Sequence, residues 1–389
     1  MRSDRVFIPI SELISGQKMN IGGLKSNLRF MSMINQMRII ITMIVFLSAA
    51  TLLKAQPDDS SRISLQPDSI QHERLVKAIS YTYIDSFAAA INNLDSIITR
   101  APDYWPAYVF KIGIVYTEMN DNENYDQVDY FKDLIDSTLN GLDDFLKRCP
   151  DDKWALFCKG STAGYLALYE GHHGSWVKAV FKGMEAGKLF TKAVEADSTF
   201  YDAYLGLGNL NYWKSAKMGF FRSLPFIPDN RDEGIAQITL AMDSSQYSSL
   251  PAASGLAWIY YNRKEYDKTI ELMNSLEKQG IHGRQILWPK GLAYFKTSNA
   301  DGTVGTFSRI KESLERKGNQ NYYNIGLCDY YIGLAYYWRG DYTAALKHLN
   351  VLLNREVDSD IAKRLKDKYN SAENYKKKIK KAVAKKTAG

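Results

Sequence analysis

The sequence predicts an all-α fold, a right-handed solenoid of antiparallel helix pairs in about six units. A pattern of small and large residues at helical spacing recurs, imperfectly, from about residue 76 to residue 354. Small residues let two helices approach closely, and large residues three or four positions away fill the space between successive pairs. The 45% content of hydrophobic residues supports a packed core, and the 26 tyrosines suit layered helix interfaces, where a ring packs and its hydroxyl reaches water.

Two stretches of the chain show this pattern most clearly. In the first, the residues predicted to pack successive helices are Gly160, Ala186, Phe190, Ala193, Tyr204, Leu207 and Gly208. In the second, they are Gly333, Tyr336 and Ala345. The arrangement resembles the tetratricopeptide repeat family, whose unit is a helix–turn–helix of about 34 residues. The resemblance covers most of residues 76–354, which gives a solenoid domain at 73–354, and it implies a concave groove that holds a protein or peptide.

The residues before the solenoid predict export. An apolar run from Ile39 to Leu53 follows a basic start and precedes the small residue Ala55. A basic start, an apolar stretch of about 7–15 residues and a small residue before the cut are typical of a secretory signal peptide. We therefore predict a signal peptide at 37–55, cleaved after Ala55. An uncleaved anchor is the alternative, although a membrane span needs about 20 apolar residues.

Two further segments follow from this interpretation. Residues 1–36 would precede the true start of translation and form an upstream extension without a function of its own. Residues 56–72, which contain Pro57 and Pro67, would form a flexible leader. The mature product is expected in the periplasm or outside the cell, with no stable membrane span after signal cleavage.

Two consecutive units are longer than the others. The small positions of the first, Gly160 and Ala186, are 26 residues apart, and the next unit shows the same spacing. The corresponding spacing in the family is about 12 residues. We therefore predict inserts at 165–185 and 214–233. Since insertions in a solenoid project from one face, the two inserts should lie side by side and form a lip over the groove.

The inserts and the helix between them supply the candidate binding residues. Their aromatic side chains lie outside the packing positions, and neighbouring polar side chains are available as anchors. The predicted set is Trp176, Phe181, Asn209, Asn211, Lys214, Phe220, Phe221, Arg222 and Phe226. A protein or peptide partner is the leading interpretation. The alternative function is a carrier or receptor for a small hydrophobic ligand, of the transporter-associated type, and a third possibility is that the inserts pack only on each other.

The sequence contains no motif for catalysis. H-E-x-x-H, C-x-x-C, G-x-x-x-x-G-K and G-x-S-x-G are all missing from it. His172 and His173 are adjacent, so on a helix they point about 100° apart and do not face one metal together. Cys149 and Cys158 either form a disulfide or pack as small buried side chains. We predict a protein that is not an enzyme and needs neither a cofactor nor a metal.

The net positive charge of the chain comes from its two ends. Residues 355–389 hold 12 Lys+Arg and 5 Asp+Glu, whereas residues 56–354 hold 31 Lys+Arg and 36 Asp+Glu. A nucleic-acid-binding domain would carry its basic stripe on the folded body, so this class of partner is not expected. Residues 355–389 are predicted to be a basic capping helix and tail, which covers the last apolar face of the solenoid. Membrane-surface or acidic-partner binding is the alternative role for this segment.

Overall fold

The computed structural model describes residues 65–217, 229–316 and 321–387. The predicted upstream extension, 1–36, and signal peptide, 37–55, lie outside the described residues. Every regular element in the described ranges is a helix. None of these helices is both long enough and apolar enough to cross a membrane.

Fifteen helices, numbered here in chain order, make up the described part of the chain. They are α1 Ser69–Thr82, α2 Phe87–Arg100, α3 Trp105–Asn122, α4 Val128–Arg148, α5 Lys153–His172, α6 Trp176–Ala196, α7 Asp202–Lys217, α8 Arg231–Ser244, α9 Ser249–Asn262, α10 Tyr266–Lys278, α11 Arg284–Lys296, α12 Ala300–Arg316, α13 Tyr322–Trp338, α14 Tyr342–Asn354 and α15 Ser359–Thr387. Consecutive helices pack on each other as seven pairs, α1–α2 to α13–α14, and α15 follows the last pair. The predicted all-α solenoid of helix pairs is confirmed. The described residues form seven pairs where the sequence indicated about six.

Aspartate side chains cap the start of three of the helices. Asp68, Asp152 and Asp341 each accept a hydrogen bond from the backbone N–H three residues later, at 2.7–2.9 Å. Such caps satisfy N–H groups that have no partner inside the helix and stabilise it by about 1 kcal/mol. The cap at Asp68 corrects the predicted leader at 56–72. Leu65 is already buried in the core and α1 begins at Ser69, so the solenoid starts earlier than the sequence indicated.

Small residues bring the helices together within the pairs. A Cβ atom added to Gly208 of α7 would lie 2.6 Å from the carbonyl oxygen of Gly234 in α8, so the two backbones are in contact there. In the preceding pair, α5 and α6 are held by the buried Phe190, whose ring lies against Gly160 and also against Gly206 of α7. A larger side chain at any of these glycines would separate the helices.

The residues of the first predicted insert are helical. Residues 165–185 lengthen both α5 and α6, and the two helices are joined by a short turn in which Gly174 has φ +85°. The preceding pair, α3–α4, is similarly long. A separate apolar cluster joins these two pairs near the ends of α3 and α5, and it includes Tyr116, Phe131 and Tyr169. The long pairs therefore extend the body of the solenoid rather than adding a loop to it.

The solenoid returns to its own start. The end of α1 packs against the fifth and sixth pairs, where Tyr83 lies in a buried cluster with Ala253, Ala257, Met273 and Ile286. These residues are far apart in the sequence, and they belong mostly to the first helices of their pairs. The first helices thus meet across the inside of the superhelix, and the inner face is packed rather than open along this stretch.

Helix α15 closes the last pair. Leu365, Ala372 and Ile379 are buried against α13 and α14, together with Leu349 and Leu352. Their spacing of seven residues repeats after nearly two helical turns, so they form one stripe on the helix. Helix α15 therefore covers the apolar side of the last pair.

Candidate functional site

The inner face of the superhelix is filled by the chain's own aromatic side chains near its N-terminal end. Phe110 of α3 and Trp154 of α5 both contact Tyr247, with ring centroids 5.7 Å apart in each case. Tyr247 lies just before α9 and its hydroxyl is 2.8 Å from Nδ1 of His72 in α1. Burial raises the pKa of Tyr247. The predicted concave groove is therefore occupied at this level by α1 and by the residues before α9.

Farther along the chain, a buried arginine on the inner face joins helix pairs that are distant in the sequence. The side chain of Arg284, at the start of α11, is fully buried and donates Nε to Oδ2 of Asp121 at 2.7 Å. Its Nη1 lies 3.1 Å from Oδ2 of Asp85 and donates to Oγ of Ser313 at 2.5 Å. Asn321 donates its amide to the backbone carbonyl of Asp121 at 2.9 Å. Pairs one, two, six and seven are joined at this point.

The polar residues predicted for the groove point in different directions. Asn209 donates to the carbonyl of Leu205 in its own helix and lies near Gly255 of α9. Asn211 donates to Oε1 of Gln237 in α8 at 2.9 Å. Lys214 is exposed. The side-chain amides of both asparagines therefore bond within the chain, and their role in binding stays a prediction.

The exposed apolar residues of the described chain are concentrated at the start of α6. Trp176 is 68% exposed and Phe181 is 66% exposed, and Val177, Val180 and Met184 are each about half exposed. At about 100° per residue these five positions fall within roughly 140° of the helix circumference. We call this surface the α6 apolar face. Single exposed apolar side chains are ordinary, but a contiguous group of this kind marks a site of interaction.

The helix that precedes the α6 apolar face, α5, is hydrogen-bonded at its end to the second pair. His172, at the end of α5, lies 3.1 Å from the hydroxyl of Tyr116 and 3.0 Å from Oδ1 of Asn120, both in α3. His173 stacks on Tyr169 with centroids 4.2 Å apart. His172 therefore joins the second and third pairs.

Four of the predicted site residues, Phe220, Phe221, Arg222 and Phe226, lie outside the described residues. The proposed side-by-side arrangement of the two inserts stays a prediction. Of the predicted aromatic residues, Trp176 and Phe181 are described, and both lie on the α6 apolar face. Sequence reasoning missed Val177, Val180 and Met184. Their spacing from Val177 to Met184, with Phe181 between them, is the i, i+3, i+4, i+7 signal of one helix face.

The described residues assemble no metal site, since no group of three His, Cys, Asp or Glu side chains converges among them. A polar cavity of about 240 Å³ lies between the start of α5 and the loops before α7 and α9. Lys153 and Asp197 form an ion pair at 2.5 Å on its wall, and hydrogen bonds from Lys153 and Thr199 lower the pKa of Asp197 to about 2. Burial raises the pKa of Asp202 on the same wall. The cavity is smaller and more polar than a pocket for an apolar ligand.

A superhelix of stacked helix pairs with an exposed apolar face defines a class of protein, the helical-repeat proteins that bind other proteins. Residues 327–359, which span most of α13 and all of α14, match the family model of the tetratricopeptide repeat. This match places a tetratricopeptide repeat in the last helix pair, where the residue pattern predicted one at Gly333, Tyr336 and Ala345. Repeats of this family generally act as non-catalytic surfaces for proteins or peptides.

Two solved structures are similar to the chain at low identity. One is a tetratricopeptide repeat protein from Parabacteroides merdae ATCC 43184, 12% identical, covering 77% of this chain and 98% of its own, with a TM-score of 0.38. The other is BtubC (BKLC) from P. vanneervenii, 12% identical, covering 78% of this chain and 93% of its own, with a TM-score of 0.25. Neither likeness is strong enough to bear on function. No curated protein matches the chain.

Proposed function

We propose that this chain is an exported, non-catalytic scaffold that binds a protein partner on the α6 apolar face. The observation that carries the proposal is the exposure of Trp176 and Phe181 beside three half-exposed aliphatic side chains. Large aromatic side chains within an exposed apolar patch are the residues that contribute most to binding energy in protein interfaces. The packed inner face points to this outer surface, rather than the groove, as the docking site.

The surroundings of the face indicate the chemistry of the partner. Lys178, Lys188 and Lys192 are exposed on α6 itself, and the last two lie about one and two turns beyond Met184, at angles close to that of Phe181. The face is about 12 Å long, from residue 176 to residue 184 at 1.5 Å per residue. A helix of a partner that carries an apolar stripe and flanking acidic residues matches both its length and its charge.

The test is a triple variant of exposed residues, V177S/V180S/F181S. Because these side chains are already exposed, the variant should fold with a free energy of unfolding within about 0.5 kcal/mol of wild type. A matched control replaces three exposed apolar residues elsewhere, Ile70, Leu240 and Val351, with serine. Photo-crosslinking from position 184 in exported fractions should yield one partner band with the wild type and with the control, and none with the triple variant.

Two results would overturn this assignment of the docking face. One is the same crosslinked partner at the same yield from the triple variant. The other is a dimer of the purified wild type that the triple variant loses in analytical ultracentrifugation, which would assign the face to a second copy of the chain.

Export has its own test, sequencing of the mature amino terminus. Cleavage after Ala55 should leave Gln56 as the first residue. A mature protein that retains residues 39–53 would instead be anchored in a membrane, and a protein that remains inside the cell would contradict export.

The alternative function, a carrier for a small hydrophobic ligand, needs an enclosed apolar cavity near Trp176. The described residues leave Trp176 on open surface, and the cavity described above is polar. Native mass spectrometry of the purified chain should therefore show the mass of the polypeptide without a bound small molecule.

A further inference from the structure

Four lysines lie in a straight row along α15. Lys363, Lys366, Lys377 and Lys381 are all exposed. At about 100° per residue they fall within roughly 60° of the helix circumference, so they point the same way. Lys363 and Lys381 are separated by five complete turns, a distance of about 27 Å along the axis. We call these four side chains the lysine row.

The lysine row faces away from the body of the protein. On the opposite side of α15, Leu365, Ala372 and Ile379 are buried against α13 and α14. A hydrogen bond of 3.0 Å between the hydroxyls of Tyr330 and Ser371 adds a polar tie near the middle of the helix. The row is therefore presented by a helix that is already folded and docked, and a ligand would not have to order it.

The described ion pairs of α15 involve other basic residues. Arg364 pairs with Glu123 at 2.9 Å, and Lys376 pairs with Glu373 at 3.3 Å. The lysine row has its charge directed at solvent, and Lys378 and Lys380, also exposed, add to it. Like charges on one helix face repel each other, so an external surface of negative charge would stabilise this arrangement.

We propose that the lysine row attaches the protein to the surface of a membrane rich in anionic phospholipids. A row that is straight over about 27 Å fits a flat surface, where every lysine reaches headgroups at the same time. Each lysine near such a surface increases affinity by about fivefold. The attachment is peripheral, through the lysine side chains of α15.

The composition of the row favours a lipid surface over an acidic protein. The centres of protein interfaces are rich in aromatic and apolar side chains and poor in lysine. The positions of α15 that lie in the row, from Lys363 through Asn370 and Asn374 to Lys381, are all polar. Such a surface offers charge without an apolar centre, which is the chemistry of electrostatic attachment to headgroups.

The experiment is co-sedimentation of the full mature chain with lipid vesicles. The vesicles consist of phosphatidylcholine alone or of phosphatidylcholine mixed with phosphatidylglycerol. The wild type should pellet with the anionic vesicles only, and added salt should release it because salt screens exposed charges. The variant K363Q/K366Q/K377Q/K381Q should bind the anionic vesicles several-hundredfold more weakly, from about fivefold for each lysine.

Two further variants keep the test specific to the lysine row. A variant with the four row lysines replaced by arginine keeps the charges and should bind like the wild type. A variant with Lys147, Lys278, Lys296 and Lys347 replaced by glutamine changes the net charge equally at other exposed positions, and it should also bind. Circular dichroism of each variant checks that the helices remain folded.

Three outcomes would overturn the proposal. The first is equal binding to neutral and anionic vesicles, and the second is a loss of binding in the variant of distant lysines as large as in the row variant. The third is no binding to anionic vesicles together with row-dependent retention on immobilised polyglutamate, which would assign the row to an acidic protein. None of these outcomes bears on the α6 apolar face, which is a separate surface on a different helix.

Discussion

Arg284 and Asp121 form a buried ion pair between residues 163 positions apart in the sequence. Two nitrogens of the guanidinium donate to the same carboxylate oxygen, Oδ2 of Asp121. Burial alone would lower the pKa of Arg284, but the hydrogen bond and charge of Asp121, with the charge of Asp85, outweigh it and raise that pKa. Both charged side chains are removed from water, so each depends on the other.

Replacing Arg284 with methionine should destabilise the protein by about 3–5 kcal/mol, because the buried carboxylate of Asp121 would lose its partner. The measurement is the free energy of unfolding in urea. The matched control is R263M, which breaks the more exposed pairs of Arg263 with Asp232 and Glu265 and should cost about 1 kcal/mol or less. Equal effects of the two substitutions would show that Arg284 does not hold the superhelix closed.

The backbone contact between Gly283, next to Arg284, and Tyr83 predicts that a larger residue at position 283 lowers stability. The N–H of Gly283 donates to the carbonyl of Tyr83 at 2.8 Å, and a Cβ atom on Gly283 would lie 2.5 Å from that oxygen. The substitution G283A should therefore lower the unfolding free energy by about 1–3 kcal/mol. At Gly305, inside α12, an added Cβ meets nothing within 4 Å, so G305A should raise stability by about 0.5–1 kcal/mol. Thermal unfolding of both variants should show shifts of opposite sign.

The ion pairs of Glu277 predict that the stability of the protein depends on pH. Burial would raise the pKa of Glu277, but its hydrogen bonds with Lys290 and Arg309 outweigh burial and lower the pKa from its usual 4.5. A carboxyl whose pKa is lower in the folded state contributes stability above its unfolded pKa, and that contribution is lost as pH falls through the folded pKa. The difference in unfolding free energy between wild type and E277Q should be largest near neutral pH and shrink below about pH 4.5.

A control for this pH effect is the exposed pair of Glu73 and Lys77. The substitution E73Q should change stability little at any pH, because solvent screens the pair. A pH profile of E277Q that runs parallel to that of the wild type would contradict the role assigned to Glu277.

The three cysteines should differ in reactivity. Burial raises the pKa of the thiols of Cys158 and Cys328 well above the usual value, whereas Cys149 is partly exposed. Since the thiolate is the reactive form, a thiol reagent should modify Cys149 in the native protein and the other two only after unfolding. Titration in denaturant without reductant should count three thiols, because all three are free in the structure. A count of one would indicate a bridge between Cys149 and Cys158.

The packing of neighbouring helices could be predicted because it depends on the spacing of residues that are close in the sequence. Gly208, for example, was identified as a packing position from its place in the pattern, and it lies against Gly234 in the structure. Trp176 and Phe181 were picked out because they fall outside the packing positions, and both are exposed. Features of this kind depend on residues within one or two helices, where the period of the helix ties sequence to position.

The closure of the superhelix could not be predicted in this way. Nothing near Arg284 in the sequence distinguishes it from an exposed charge, and its partners Asp85 and Asp121 lie in the first two pairs. The small curvature added by each pair decides which distant residues meet, and this curvature is the sum of many side-chain contacts.

The return of the superhelix to its start changes how the protein comes apart. Open arrays of repeats fray from their ends, since each unit depends only on its neighbours. Here the first pair is held by the sixth through Gly283 and Tyr83, and the second is held by α15 through Glu123 and Arg364. Removing a terminal unit would therefore loosen the opposite terminus as well, and unfolding should proceed as one cooperative event rather than unit by unit.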